Sequence, residues 1–417
     1  MSYGLQLILG FMPGTPPDGE PVPEDGSLPV NAADAFGHAP FGIYVHIPFC
    51  RTRCGYCDFN TYTATELGGG ASQAAYPALV GTEIDLAAKV LPAGRARVST
   101  VFFGGGTPTL LAPGQIAGIL ARIDAAFGLA PDAEVTIEAN PESVGPAELD
   151  QLLAGGVTRI SFGMQSSVPH VLRVLDREHR PGRPLECVRW ARAAGFERIS
   201  LDLIYGTPGE SDDDWRRSVT DAIEAGPDHV SAYALIVEEG TRLAAKVRRG
   251  EIAAPDDDAM ADRYLIADDL LGAAGFAWYE LSNWATSDES HCRHNLLYWT
   301  GGDWWGFGPG AHSHVGGVRW WNVRHPSAYA QRLAAGRSPA AARERLTAAE
   351  RRMEEIMLRT RLAEGLPLSL LTPAARHLGE RAVDSSLLAP AAYTGGRAVL
   401  TLPGRLLADA VIRDLTE

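Results

Sequence analysis

Tyr44-Val-His-Ile-Pro-Phe-Cys50-Arg-Thr-Arg-Cys54-Gly-Tyr-Cys57-Asp-Phe59 places three cysteines within eight residues, spaced C-x3-C-x2-C, directly after a short apolar run. Three thiolates on one loop can hold three corners of a 4Fe–4S cluster. Electron-transfer clusters use four cysteines, so a three-cysteine set leaves one iron open, as a site that binds a small molecule requires. Arg51 and Arg53 would offset the negative charge of thiolates and sulfides. A zinc knuckle is the competing reading; it needs a fourth Cys or His, and His46 on the preceding run is the nearest. With only five cysteines in 417 residues a disulfide framework is excluded. Cys187 lies in a helical stretch and reads as a small buried hydrophobe.

Working outward from this loop, short apolar runs at Gly42–Ile47, Val98–Phe103, Glu134–Ala139, Thr158–Gly163, Arg198–Tyr205 and His229–Ile236 read as strands covered on both faces. Helical stretches at Tyr76–Val90, Gln115–Phe127, Ala147–Leu153, Pro184–Ala194 and Asp212–Ala225 separate them. This alternation predicts an α/β fold, a parallel sheet with right-handed crossovers. Six units make a partial (β/α)6 barrel rather than a closed eightfold one. Ligands of such sheets sit outside the carboxyl ends of the strands. The cysteine loop, Gly104–Gly106, Glu138 with Asn140, and Gln165 stand there, and Asp202 lies on the fifth strand.

The rest of the chain divides around this body. Residues 1–40, rich in Pro, Gly and acid, are expected to be a disordered leader, with Met12 a candidate start. Residues 41–240 form the barrel. Residues 241–340 extend it, with a helix at Asp256–Leu271 and an aromatic and histidine-rich, loop-like stretch at Trp278–Trp321. Residues 341–417 read as a mainly helical, winged-helix-like appendage, with helices at Leu346–Leu362 and Pro403–Leu415 and a strand at Ala398–Leu402. A net charge of −14, from 37 basic and 51 acidic residues, argues against nucleic-acid binding by phosphate neutralisation. Leu5–Met12 is too short to span a bilayer and lacks the flanks of a signal peptide. The chain is therefore expected to be cytoplasmic, with no transmembrane segment.

Taken with its flanks, Tyr44–Cys50 through Cys57-Asp-Phe59 resembles the radical S-adenosylmethionine (SAM) superfamily. Within it the likeness is to oxygen-independent coproporphyrinogen III oxidase and its relatives, the HemW-type heme chaperones. It runs from Phe41 to about His314, with a weaker similarity at Gly404-Arg-Leu-Leu-Ala-Asp-Ala-Val-Ile-Arg413. The resemblance implies a 4Fe–4S cluster on Cys50, Cys54 and Cys57 whose open iron takes SAM, and an electron donor for that cluster. It assigns Gly105, Gly106 and Thr107 of Gly104-Gly-Gly-Thr-Pro108 to the SAM amino group. Glu138, Gln165, Arg177 and Asp202 align with the remaining SAM contacts. Their chemistry fits, with carboxylates and an amide for hydroxyls and ammonium and a guanidinium for the carboxylate. Tyr44 and Tyr56 are expected near the adenine.

Two features choose the branch. The oxidase pattern continues C-x2-C-x-C, whereas Phe59 stands in the last place here. His294-Asn-Leu-Leu-Tyr-Trp299 matches the chaperones' H-N-x-x-Y-W motif, which implies heme with His294 as its axial ligand and Tyr298 and Trp299 as flat porphyrin surface. Without the family context His294 reads as a loop histidine in an aromatic mini-core. Cys292 is an alternative ligand, and His291, His312 and His314 match no metal template. The reading is a heme chaperone that delivers heme to acceptor proteins. The alternatives are coproporphyrinogen III dehydrogenase, which would oxidatively decarboxylate two propionates by a radical route, and a structural metal protein without radical chemistry.

Overall fold

The computed structural model describes residues 19–67 and 72–417. Six strands run in sequence order and pair in parallel: β1 (Phe41–Ile47), β2 (Val98–Gly105), β3 (Leu129–Ala139), β4 (Arg159–Gln165), β5 (Arg198–Tyr205) and β6 (His229–Ala234). They are the predicted partial barrel. β1 is buried at every position, as a strand covered on both faces must be. Helices Tyr76–Val90, Pro113–Phe127, Pro146–Ala154, Arg183–Ala194 and Asp212–Glu224 cover the outside. Several begin one or two residues before the apolar pattern does, because Pro113, Pro146 and Pro184 sit in the first turn, where the missing N–H costs nothing.

The sheet does not stop at six strands. Past β6 lies an antiparallel pair, β7 (Ala277–Glu280) and β8 (Asn283–Ala285). On the other side β9 (Asp303–Phe307) pairs in parallel with β1, and β10 (His312–Val315), β11 (Val318–Asn322) and β12 (Ala340–Arg345) follow antiparallel. The expected loop-like stretch Trp278–Trp321 is thus corrected to five strands and a helix, Arg293–Trp299. Its many glycines mimic loop composition, but they mark tight turns and close backbone approaches between strands. The Gly306 position lies so near the His312 carbonyl that a Cβ there would overlap it.

The disordered leader is also corrected, for residues 19–40; residues 1–18 lie outside the described residues. Glu20 exchanges backbone hydrogen bonds with Arg343 on edge strand β12, at 2.7 and 3.0 Å. Helix Val30–Ala35 buries Ala32 completely, and Phe36 packs edge-on against Phe41 with ring centroids 5.0 Å apart. Average composition underweights a segment that needs only two apolar anchors and a strand edge to pair with.

The C-terminal residues have their own small core, around Ile356, Leu366, Leu388, Val411 and Leu415. It combines helices Ala348–Arg359, Pro373–Asp384 and Ala408–Thr416 with a two-stranded ribbon of β13 (Leu366–Pro367) and β14 (Arg397–Ala398). The expected single helix Pro403–Leu415 is two, breaking at Leu407, and the expected strand is shorter. Arg405 ties this unit to the barrel, hydrogen-bonding Asp268 at 2.8 Å and lying 4.3 Å over the Trp278 ring. No described helix is long and apolar enough to cross a membrane.

Candidate functional site

A cavity of about 690 Å³ runs down the barrel from the carboxyl ends of the strands. All three loop cysteines are free thiols, half-buried at its mouth. The cysteine loop is clamped from three sides: Gly55 N donates to the Leu175 carbonyl, Leu243 N to the Gly55 carbonyl and Arg242 to the Arg53 carbonyl. Burial, then the charge of Cys54, raises the Cys50 pKa; burial pushes Cys57 up to about 12. A cation bound at Cys50 and Cys57 must displace those protons. Among the described residues no three His, Cys, Asp or Glu side chains are arranged to hold a single metal ion.

The glycine loop is zipped to the cysteine loop. Gly106 N donates to the Ile47 carbonyl and Thr107 N to the Phe49 carbonyl, each at 2.8 Å. A Cβ on Gly106 would lie 2.5 Å from the Phe49 oxygen and 3.0 Å from the Cys50 sulfur, so only glycine fits. Gly105 adopts φ +111° and donates its N–H to Glu138 Oε2 at 3.1 Å. The N–H groups of all three residues are therefore engaged. Toward an ammonium the loop can present carbonyl oxygens, which are the groups an ammonium needs.

Glu138, Gln165, Arg177, Asp202 and Tyr56 all line the same cavity. Arg177 reaches Cys54 Sγ at 3.4 Å and the Gly163 carbonyl at 2.8 Å, bridging the cysteine loop to β4. Gln165 has φ +63°, an unfavourable backbone for a residue other than glycine, held at the end of a central strand. Ser161 donates to both Asp202 oxygens at 3.0 Å. Burial, and then the neighbouring Asp202 charge, raises Glu138 to about 7; burial raises Asp202 to about 6 against hydrogen bonds from Ser231 and Ser161.

Two expected site residues stand elsewhere. Tyr44 is buried beside Phe102, Cys292 and Ala311, with its hydroxyl 3.0 Å from His46 Nδ1, and is not part of the cavity wall. His294 is 1% exposed and stacks on Phe102, whose other side lines the cavity. Both its ring nitrogens are engaged, Nδ1 with Thr100 Oγ1 and Nε2 with the Tyr298 hydroxyl, each at 2.8 Å. Burial pushes its pKa down to about 3. In this arrangement His294 offers iron no lone pair, because a neutral imidazole has one donor and one acceptor and both are taken. Trp299 is likewise buried. Of the other candidates, His291 stacks on Tyr279 at 4.0 Å, His314 packs on Trp304, and Cys187 is buried under the Pro141 carbonyl.

What the sequence reading missed is the role of the motif as a whole. Segment Ser290–Trp299 plugs the amino-terminal end of the barrel. Glu134 accepts from the backbone N–H of Arg293 and His294, at 3.2 and 3.0 Å, and Arg159 donates to the Ser290 carbonyl at 2.8 Å. Cys292 and Asn295 thereby reach the cavity floor. A buried Arg at the head of one strand and a buried Glu on its neighbour were the signals available.

The Radical SAM superfamily model matches residues 44–222. A heme chaperone HemW of Mycobacterium tuberculosis is 54% identical over 376 residues, covering 90% of this chain and 95% of its own. HemW of Escherichia coli is 35% identical over 333 residues, 79% of this chain and 84% of its own. The solved coproporphyrinogen III oxidase (HemN) of Escherichia coli superposes with a TM-score of 0.79 over 92% of each chain, at 22% identity, a likeness of fold. Carrying that barrel and that degree of identity, the chain belongs to the HemW heme-chaperone family of the radical SAM superfamily.

Proposed function

We propose that this chain holds a 4Fe–4S cluster on Cys50, Cys54 and Cys57, binds SAM beside it, and carries heme to acceptor proteins. The observation that carries the reading is the convergence of three free thiols, the Arg177 guanidinium and the Glu138–Asp202 carboxylates on one cavity. When bound, the cluster supplies an open iron and a transferable electron. Arg177 would hold a carboxylate against the cysteine loop, the glycine-loop carbonyls an ammonium, and Glu138 and Asp202 a pair of hydroxyls. Tyr56, buried among Val168, Val171 and Leu175, would present a flat ring to the adenine. Phe59 lines the mouth where the oxidase pattern has a cysteine, which favours the chaperone branch over coproporphyrinogen turnover. The free state of all five cysteines suits a reducing cytoplasm.

The test is anaerobic reconstitution with iron and sulfide, followed by SAM and heme titrations and an assay with coproporphyrinogen III. A cluster, SAM affinity and stoichiometric heme binding without turnover are expected. Protoporphyrinogen formation coupled to SAM consumption would select the dehydrogenase; absence of iron and sulfide would remove both readings.

A further inference from the structure

The cavity continues one layer of side chains below the carboxylates assigned to SAM, since Thr136 lies two residues before Glu138 on β3. Gln165 at its mouth and Arg159 on its wall lie six residues apart on β4, about 20 Å of strand. At the lower end the wall changes character. Thr136 and Arg159 are register partners on neighbouring parallel strands, and Asn295 meets them from the plug. Each is at least nine-tenths buried: 1%, 1% and 8% exposed. Arg159 Nη2, Thr136 Oγ1 and Asn295 Oδ1 all lack a hydrogen-bond partner among the described residues.

One orphaned buried polar atom is ordinary; three on one face of a cavity, contributed by three elements, call for an explanation. Leaving a guanidinium N–H and a hydroxyl unpaired costs about 1–3 kcal/mol each. The same Arg159 uses Nη1 to hold the plug through the Ser290 carbonyl, which fixes the guanidinium plane and with it the direction of Nη2. Its acidic neighbours do not meet Nη2: Glu134 accepts from the plug backbone, and Asp202 from Ser161. Glu280, behind Asn295 and raised by burial to about 7, accepts from Asn283. Burial holds His229 neutral, between Ser200 and the Tyr279 hydroxyl, and keeps the Cys292 thiol protonated.

We propose that the barrel floor is a carboxylate-binding subsite, with Arg159 Nη2 and Thr136 Oγ1 as donors, and that it takes a propionate of a porphyrin. The assignment of the ligand rests on the heme reading above. A charged donor paired with a hydroxyl is the arrangement that recognises a carboxylate. The Asn295 oxygen would accept from a water bridging to the same group. Phe102, the register partner of Thr136 on β2, lines the cavity beside it and offers flat apolar surface to the macrocycle. A free small acid has the same chemistry, and the experiment separates the two.

The test uses the full chain and compares iron protoporphyrin IX with its dimethyl ester, in which both propionates are masked, by Soret titration. The wild type is expected to bind the free acid about tenfold or more tighter than the diester. Thr136→Val, nearly isosteric, should weaken the free acid about five- to tenfold and leave the diester unchanged. Arg159→Gln should weaken it further; should that variant fail to fold, Thr136→Val alone decides. Equal affinity for acid and diester, or an equal effect of Thr136→Val on both, overturns the subsite while leaving heme binding intact. No binding of either porphyrin overturns the heme reading and the subsite with it. If acetate or propionate competes for a Thr136-dependent site that the porphyrin does not share, the floor belongs to a free acid and the propionate assignment falls.

Discussion

At the residue scale the cysteines make the sharpest claim. Replacing Cys50, Cys54 or Cys57 by Ala should abolish the broad iron–sulfur absorbance, while Cys187→Ala and Cys292→Ala should retain it. A full cluster in Cys54→Ala would remove the assignment. Glu138 carries a second claim. Its pKa, raised to about 7, leaves it part-protonated at neutral pH, and only the ionised form offers full acceptor strength to hydroxyls. SAM affinity should therefore rise between about pH 6 and 8, and the dependence should flatten in Glu138→Gln; Asp202, at about 6, contributes at the lower end. His294 now carries a structural claim instead. Because it bridges Thr100 to Tyr298 and backs Phe102, His294→Ala should lower stability by about 1–3 kcal/mol and leave the Soret maximum of bound heme in place. A shifted Soret maximum with unchanged stability would restore the ligand role.

Among elements, the segment ahead of β1 behaves as a strap. It pairs through Glu20 with β12, and Glu24 accepts from Ser338 N at 2.7 Å, so it closes over the edge of the β9–β12 extension. Its exposed ion pair, Glu20 with Arg345, counts for little. Burial of Phe36 is worth about 1.5–3 kcal/mol. Phe36→Ala should therefore lower the melting temperature by a few degrees, on the scale of about 1 °C per kcal/mol for a chain of this length. Thermal melts of this variant beside the wild type provide the check, and an unchanged midpoint would show that the strap adds nothing.

For the whole molecule, the buried titratable groups set a pH optimum. Glu83, Glu138, Glu210 and Glu280 are each raised to about 7, so between about pH 4.5 and 7 the native state binds more protons than the unfolded chain. Stability from these groups falls as pH rises through that window. His46, His179, His294 and His312 are lowered to about 3, so the unfolded chain binds more protons between about pH 3 and 6.5, and stability from them falls as pH drops. Above pH 6.5 only the carboxyls still act. The melting temperature should peak slightly below neutrality and decline toward pH 8. A monotonic rise from pH 5 to 8 would contradict this balance.

Local patterning carries a great deal in this chain. Six buried parallel strands leave nearly continuous apolar runs, and a thiol-ligand set must be close in sequence to form one loop, so the barrel and Cys50–Cys57 were legible directly. Glu138 and Gln165 stand at strand ends and Asp202 on a strand, so position and resemblance agreed for them, whereas Arg177 rested on resemblance alone. Three things depended on contacts between distant segments. The strap needed an edge strand more than 300 residues away to pair with. The tryptophan- and histidine-rich stretch became strands only because β1 and β6 had free edges to extend. The fate of His294 turned on Thr100, from β2, and on Tyr298 one helical turn away, which together take both its nitrogens. Spacing reveals which groups a loop can bring to one ligand; whether a side chain's lone pair is free is decided by the neighbours that only folding supplies.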